Sequence, residues 1–369
     1  MAERLEQLEI FDNIFLFTKP QSHFRQHIKN MINRDGYHNN FNETMLRSLN
    51  KDISFCCKKI LMFLKREFLI NASIWKDRYI DFSEYDHVIG IKTEKVVSDC
   101  IELVKRSNNG KCRFSIIDEG LASYLNLYIE NDEDVESAFL YNPQMAQYDK
   151  RIAIIPIPKI DKNNTELIKI LNLVFGFKNE LPCLNDKIIF FGQPWEAMPE
   201  YLKNLSGIKK LLFRNAYKKH LIESTKHEFE MELFRILVEN SRKGSVCVKL
   251  HPRASSSVIK EYKNYDCQFL PNLDLPWELY GVNCDMNNGL WVSDNSSALF
   301  SYDFTFMTNN TNVFLYGYRL CHNGLDNNEK IIDSFFSRYS EYNQNVFIPN
   351  KKEGYIKIIK EYCNNRKNA

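Results

Sequence analysis

No stretch of the chain approaches the roughly 18 consecutive apolar residues that cross a bilayer as a helix, and the best run, Ile60 to Leu64, is far too short. The first residues, Met1 to Glu9, are charged and lack the apolar region of a secretory signal. The expectation is a soluble protein, or one in peripheral contact with the cytoplasmic face of the inner membrane. Charge of one sign is scarce too. A net charge of +2 over 369 residues gives no global field for nucleic acid, so no nucleic-acid partner is expected. The ten cysteines form no CxxC pair and no even framework, and Cys112 and Cys247 fall in apolar runs, which fits a reducing cytoplasm. There is no HExxH, no glycine-rich phosphate loop, no repeat of fixed period and no low-complexity segment.

What is there reads as a globular α/β protein. Hydrophobic residues make up 44% and charged residues 26%, and the length suits two domains better than one. Apolar runs alternate with helical patterns. Strands are expected at Asn13–Phe17, Val88–Ile91, Arg113–Ile117, Ile188–Phe191, Val246–Leu250, Leu290–Val292 and near Val346, with a further apolar run at Arg151–Ile157. Helices are expected up to about Met31, along Ile53–Ile70, at Glu94–Arg106, at Glu166–Phe175, from about Lys226 to Ser241, briefly after Pro276 and from Lys352 to about Asn364. Repeated βα units on either side of a polar break near residues 176–187 predict two doubly wound domains, 1–180 and 181–369.

Three polar signatures directly follow apolar runs: Asp118-Glu119-Gly120, Lys249-Leu250-His251-Pro252 and Asn295-Ser296-Ser297. The crevice beyond the carboxyl ends of parallel strands is where open α/β sheets bind ligands, so this shared placement matters more than any single motif. Asp118 can act as a general base, with Gly120 allowing a sharp turn, or simply cap a helix. Lys249 and His251 lie on one side of an extended strand, and Pro252 fixes the backbone after the histidine. Together they suit a nucleotide, although a strand-end histidine is also an ordinary structural feature. Ser296 and Ser297 offer hydroxyls and backbone N–H groups for an oxyanion or phosphate if a helix begins there. Glu278, in Pro276-Trp277-Glu278, can accept both hydroxyls of a ribose or serve as a helix-dipole acid.

The order acid-acid-Gly, Lys-x-His-Pro, Pro-x-Glu and Ser-Ser resembles the bacterial sialyltransferases of the GT-B fold, particularly the lipooligosaccharide, capsule and polysialyl types. Phe191-Gly192-Gln193-Pro194 and Pro20-Gln21 are similar to features of the same family. The resemblance implies two Rossmann-like domains facing a central cleft, with acceptor and general base on the N-terminal side and CMP on the C-terminal side. It implies Asp118 as the base and His251 as the group that helps CMP depart. Lys249, Pro252, Glu278, Ser296, Ser297, Gly192 and Gln193 then fall on the donor, and Glu119, Gly120 and Gln21 on the acceptor. The implied activity is inverting, metal-independent transfer of sialic acid from CMP-sialic acid to an oligosaccharide or glycolipid, with no cofactor and with a homodimer as one possible assembly. Leu121 to Tyr124 has no firm counterpart in the family.

Three alternatives compete: CMP-Kdo as donor, a UDP-sugar as donor, or a non-catalytic glycan-binding protein of this fold. Other features read as bland. Asp132-Glu133-Asp134 fits a metal-binding DxD but sits in the acidic stretch 130–136, which suits a solvated loop. His23 and His27 have helical spacing but no evident third ligand. Lys209, Lys210, Arg214, Lys218 and Lys219, around Leu211, Leu212 and Phe213, suit either an anionic membrane surface or a solvated helix, as do Lys351, Lys352 and Lys357.

Overall fold

The computed structural model describes residues 82–91, 95–125, 135–148, 152–174, 177, 183–195, 197–199, 214–271, 275–307, 311–320 and 327–365. The expected strand at Asn13–Phe17, the helices up to Ile70, Gln21, the His23/His27 pair, Asp132–Asp134 and Lys209–Phe213 lie outside the described residues. The protein is α/β, with two sheets of parallel strands. It divides into two compact units, one holding Met1–Ile157 and Leu173–Phe177, the other Pro158–Asn172 and Lys178–Ala369.

The first unit carries β1 (His87–Gly90), α1 (Lys95–Ser107), β2 (Arg113–Ile117), β3 (Val135–Leu140) and β4 (Ala153–Pro156), paired in that order. α1 buries Cys100, Leu103 and Val104, spaced to make one stripe, against Phe82, Tyr85 and Val88. β2 is apolar without alternation because its centre is covered on both faces. β3, which the sequence does not announce, lies inside the sheet between β2 and β4. Its residues Val-Glu-Ser-Ala-Phe-Leu carry too little bulk to stand out, and Ser137 is accepted there because its hydroxyl pairs with that of Ser115 at 2.6 Å. Among the described residues β4 ends the sheet on one side, exposed at all four residues and closing on a proline.

The second unit continues with α2 (Thr165–Val174), β5 (Ile188–Gly192), α3 (Arg214–Asn240), β6 (Val246–Leu250), α4 (Ser256–Tyr262), β7 (Gln268–Phe269), α5 (Trp277–Asn283), β8 (Leu290–Ser293), α6 (Ala298–Thr305), β9 (Val313–Tyr316), α7 (Asn327–Tyr342), β10 (Val346–Phe347) and α8 (Lys352–Asn365). The first two residues of the Leu173–Phe177 stretch, which groups with the first unit, are also the last two of α2. The sheet runs β7-β6-β5-β8-β9-β10 with every pairing parallel. Counted within the unit that order is 3-2-1-4-5-6, the doubly wound Rossmann arrangement, with its reversal of winding between β5 and β8.

Alternate strand residues feed two different cores. One face presents Ile188, Phe190, Val246, Val248, Leu290 and Val292 to Leu233, Phe234 and Leu237 of α3 and to Tyr355 and Ile359 of α8. The other is aromatic: Trp291 meets Phe191, Trp277, Tyr302 and Phe314 with ring centroids 5.1–6.0 Å apart. Burial of both faces explains why β5, β6 and β8 read as continuous apolar runs. α3 corrects the expected helix start, since it begins at Arg214 and not near Lys226. Its first half lacks apolar periodicity; Leu221 and Ile222 are 46% and 59% exposed. Among the described residues no helix is long and apolar enough to cross a membrane.

Candidate functional site

Two clusters sit at strand ends, one in each unit. In the first, β2 hands over to Asp118, whose backbone N–H continues the ladder onto Phe139 O at 2.9 Å. Gly120 then turns the chain at φ 129°, ψ −152°, a conformation open to glycine alone. The Asp118 carboxyl gathers three donors: Gly120 N at 3.0 Å, Tyr141 N at 3.1 Å and the Tyr124 hydroxyl. Ser123 closes the loop by accepting from Glu119 N at 2.9 Å. Asp118 thus organises the turn as well as facing whatever meets the strand end, while Glu119 beside it is exposed. The Tyr124 phenol is fully buried, and burial followed by the Asp118 charge pushes its pKa far above the ordinary tyrosine value. Tyr148 is pushed up for the same two reasons.

In the second unit the expected donor residues collect at one edge of one sheet. Gly192 ends β5, and its carbonyl accepts from His251 N at 3.0 Å, so the exits of β5 and β6 are joined. Ser293, ending β8, lies within 3.0 Å of Phe191 O through its hydroxyl and accepts from Ser296 N at 3.1 Å. Gly192, Gln193, His251, Ser293 and Ser296 therefore flank the point where the winding reverses. Ser296 Oγ accepts from Ala298 N at 3.3 Å and Ser297 holds the N-cap position of α6 without a side-chain cap bond, so the Ser-Ser pair opens that helix. Glu278, in the first turn of α5, accepts from Ser301 Oγ of α6 at 2.9 Å. Lys249 is buried, with Nζ 6.0 Å from the Tyr280 ring centroid and 3.3 Å from Leu250 O.

His251 is held neutral. Burial, then Arg253, then Lys249 lower its pKa to about 4. Arg253 N donates to Nδ1 at 3.1 Å, so the neutral ring carries its proton on Nε2. Pro252 follows directly in the turn. A neutral imidazole with Nε2–H, under the positive charge of Arg253, can donate to a phosphate oxygen and gain a proton as that charge arrives.

Beneath this edge lie two acids that the sequence reading missed. Glu230 of α3 is fully buried and accepts from Gln193 N at 2.9 Å and Tyr262 Oη at 2.6 Å. Asp294 follows β8 and accepts from Asn295 N at 2.6 Å. Burial raises both carboxyls, and the Asp294 charge raises Glu230 further. An alanine at Gly192 would put Cβ 2.6 Å from Leu250 Cδ2, 3.0 Å from Tyr262 Oη and 3.4 Å from Glu230 Oε1. The glycine is thus required by close packing onto this network. The signals were faint: Asp294 directly precedes the Asn-Ser-Ser motif, and Glu230 shares a helical face with Phe234 and Leu237 at i, i+4 and i+7.

No group of three His, Cys, Asp or Glu side chains suited to a metal ion occurs among the described residues. No known protein family matches the chain, and no curated protein or solved structure is significantly similar to it.

Proposed function

We propose that this chain is a GT-B glycosyltransferase of the sialyltransferase type, transferring sialic acid from CMP-sialic acid to a hydroxyl of a bacterial surface glycan with inversion. The observation that carries the reading is the edge of the second sheet. There His251, neutral and presenting Nε2–H, follows β6 with Arg253, and the serines opening α6 follow β8, on either side of β5 where the winding reverses. That set of donors suits one phosphate. In this reading Glu278 takes the ribose hydroxyls and Lys249 faces the cytidine side. His251 and the Ser296–Ser297 N-terminus take the charge that builds on the phosphate as the anomeric C–O bond breaks. Asp118 of the first unit removes the proton from the attacking acceptor hydroxyl, and the products are CMP and the sialylated glycan. Hydrogen-bond donors and imidazole carry the leaving group, so no divalent cation takes part.

The test is CMP release from CMP-N-acetylneuraminic acid, with CMP-Kdo and a UDP-hexose as competing donors and galactose-terminated and sialylated acceptors. Asp118→Asn, which keeps shape while losing basicity, should lower acceptor-dependent turnover about 10²–10⁴-fold. Release unaffected in that variant removes Asp118 from the chemistry. Absence of both release and CMP binding in the wild type refutes the cytidine assignment. Full loss of activity in EDTA, restored by Mg²⁺, contradicts the metal-free step.

A further inference from the structure

At the exit of β5 the second sheet parts. The pairing of β5 with β6 runs on to Gly192–Leu250, while its pairing with β8 already stops at Phe190–Val292. Side chains meet the backbone groups that the missing rungs leave behind. Phe191 O has the Ser293 hydroxyl at 3.0 Å, and Gln193 N donates to the Glu230 carboxyl at 2.9 Å. Buried N–H groups are rarely left unpaired, so an acid with no exposed surface has a reason to stand there. Tyr262 Oη donates to the other carboxyl oxygen at 2.6 Å and fixes the acid in turn. One turn earlier α3 holds the same loop again, where Lys226 Nζ lies 4.9 Å from the Trp195 ring centroid.

A single peptide group joins this acid to His251. The Gly192 carbonyl accepts from His251 N at 3.0 Å, and the N–H of the same peptide, on Gln193, is the one that Glu230 holds. A peptide is planar, so fixing its N–H fixes the direction of its C=O. That C=O is the last rung before the turn carrying His251, Pro252 and Arg253. We propose that Glu230 is a positioning residue of the strand-end edge: through the Gly192–Gln193 peptide it sets where the His251 turn leaves β6, and so where the imidazole meets its ligand. Glu230 itself is fully buried and touches no ligand. That the ligand carries a phosphate rests on the proposed function; the link from Glu230 to His251 does not.

Glu230→Gln keeps an oxygen for Gln193 N and can reverse the bond to Tyr262, whose oxygen also accepts. Glu230→Leu offers no acceptor. Histidine-ring NMR reads the result, with His251 assigned by its absence in His251→Gln and His87 of the first unit as internal standard. In wild type and Glu230→Gln the His251 ring should titrate near pH 4 with its proton on Nε2. In Glu230→Leu it should rise by about one unit or more as the ring leaves its shielded place, while His87 stays where it was. CMP affinity should fall about tenfold in Glu230→Leu and stay within about twofold in Glu230→Gln. An unchanged His251 titration in Glu230→Leu overturns the inference. So does an equal rise in Glu230→Gln, since that variant keeps the bond to Gln193 N. A titration that moves while CMP affinity does not, or that moves in a protein binding no CMP, upholds the positioning and defeats the phosphate reading. Should Glu230→Leu not fold, Tyr262→Phe decides: it removes one of the two bonds on the carboxyl and should move His251 in the same direction, and no movement overturns the inference.

Discussion

Protonation of His251 on nucleotide binding offers the sharpest check on the second unit. Its pKa near 4 in the free protein means that about 0.1% of the ring is charged at pH 7. Desolvation is the leading cause, followed by the positive charges of Arg253 and Lys249. A phosphate placed against Nε2–H reverses the electrostatic part, since an opposite charge within hydrogen-bond range raises a histidine by about 1–3 units. With a rise of about two units, the bound pKa is near 6. The sign follows: binding favours the protonated ring, so protons are taken up and affinity rises as pH falls through 6 towards 4. The linked gain between pH 8 and pH 5 is about tenfold, and near pH 5 the uptake approaches one proton. CMP itself gains a proton near pH 6, which opposes the trend. The measurement is therefore a difference: calorimetry of CMP in buffers of unlike ionisation enthalpy, wild type against His251→Gln, which keeps a donor near Nε2 but does not titrate. Identical proton uptake in the two proteins would refute the placement of phosphate at His251.

Two further outcomes follow from the strand ends. Gly120→Ala forces a side chain onto φ 129° and should cost about 1–3 kcal/mol of stability, read from urea unfolding, because only glycine tolerates that region. Glu230 has its carboxyl raised by burial and by Asp294, so its contribution is full below the unfolded carboxyl pKa near 4.5 and is lost as pH rises through the folded value. Glu230→Gln removes that dependence, and its stability should gain on the wild type between pH 5 and pH 8. Parallel stability curves would show that Glu230 titrates normally.

The strands that frame the second site were legible because both of their faces are buried. Ile188–Gly192 and Val246–Leu250 are apolar without alternation, which is how a central parallel strand must read. Val313–Tyr316 is buried at three of its four residues, yet four apolar residues between polar loops carry no periodicity that separates strand from helix. Val135–Leu140 stayed hidden because small residues fill its centre, and the start of α3 because its first half, where Leu221 and Ile222 are exposed, carries no amphipathic pattern. The strand-end motifs were visible as local sequence. Their partners were not: Asp118 is set by Tyr124 and Tyr141, 6 and 23 residues away, and Gln193 by Glu230, 37 residues away. Long-range hydrogen bonds leave no periodic trace, so the role of Glu230 appears only once the chain is folded.

The same electrostatics bear on which nucleotide fits. At the exits of β5, β6 and β8 the described cationic groups include Lys249, already turned onto Leu250 O and the Tyr280 ring, Lys226, held over the Trp195 ring at 4.9 Å and acting on Asp294, and Arg253; His251 is neutral. Below them lie Glu230 and Asp294, whose burial makes further negative charge unwelcome. Such a site rewards one phosphate and has little to offer a second. UDP should therefore bind no more than about threefold tighter than CMP, a small margin on the scale of about 1.4 kcal/mol per tenfold. A side-by-side calorimetric titration decides it. UDP binding tenfold or more tightly than CMP would mean that the edge neutralises a diphosphate, and the donor would then be sought among UDP-sugars.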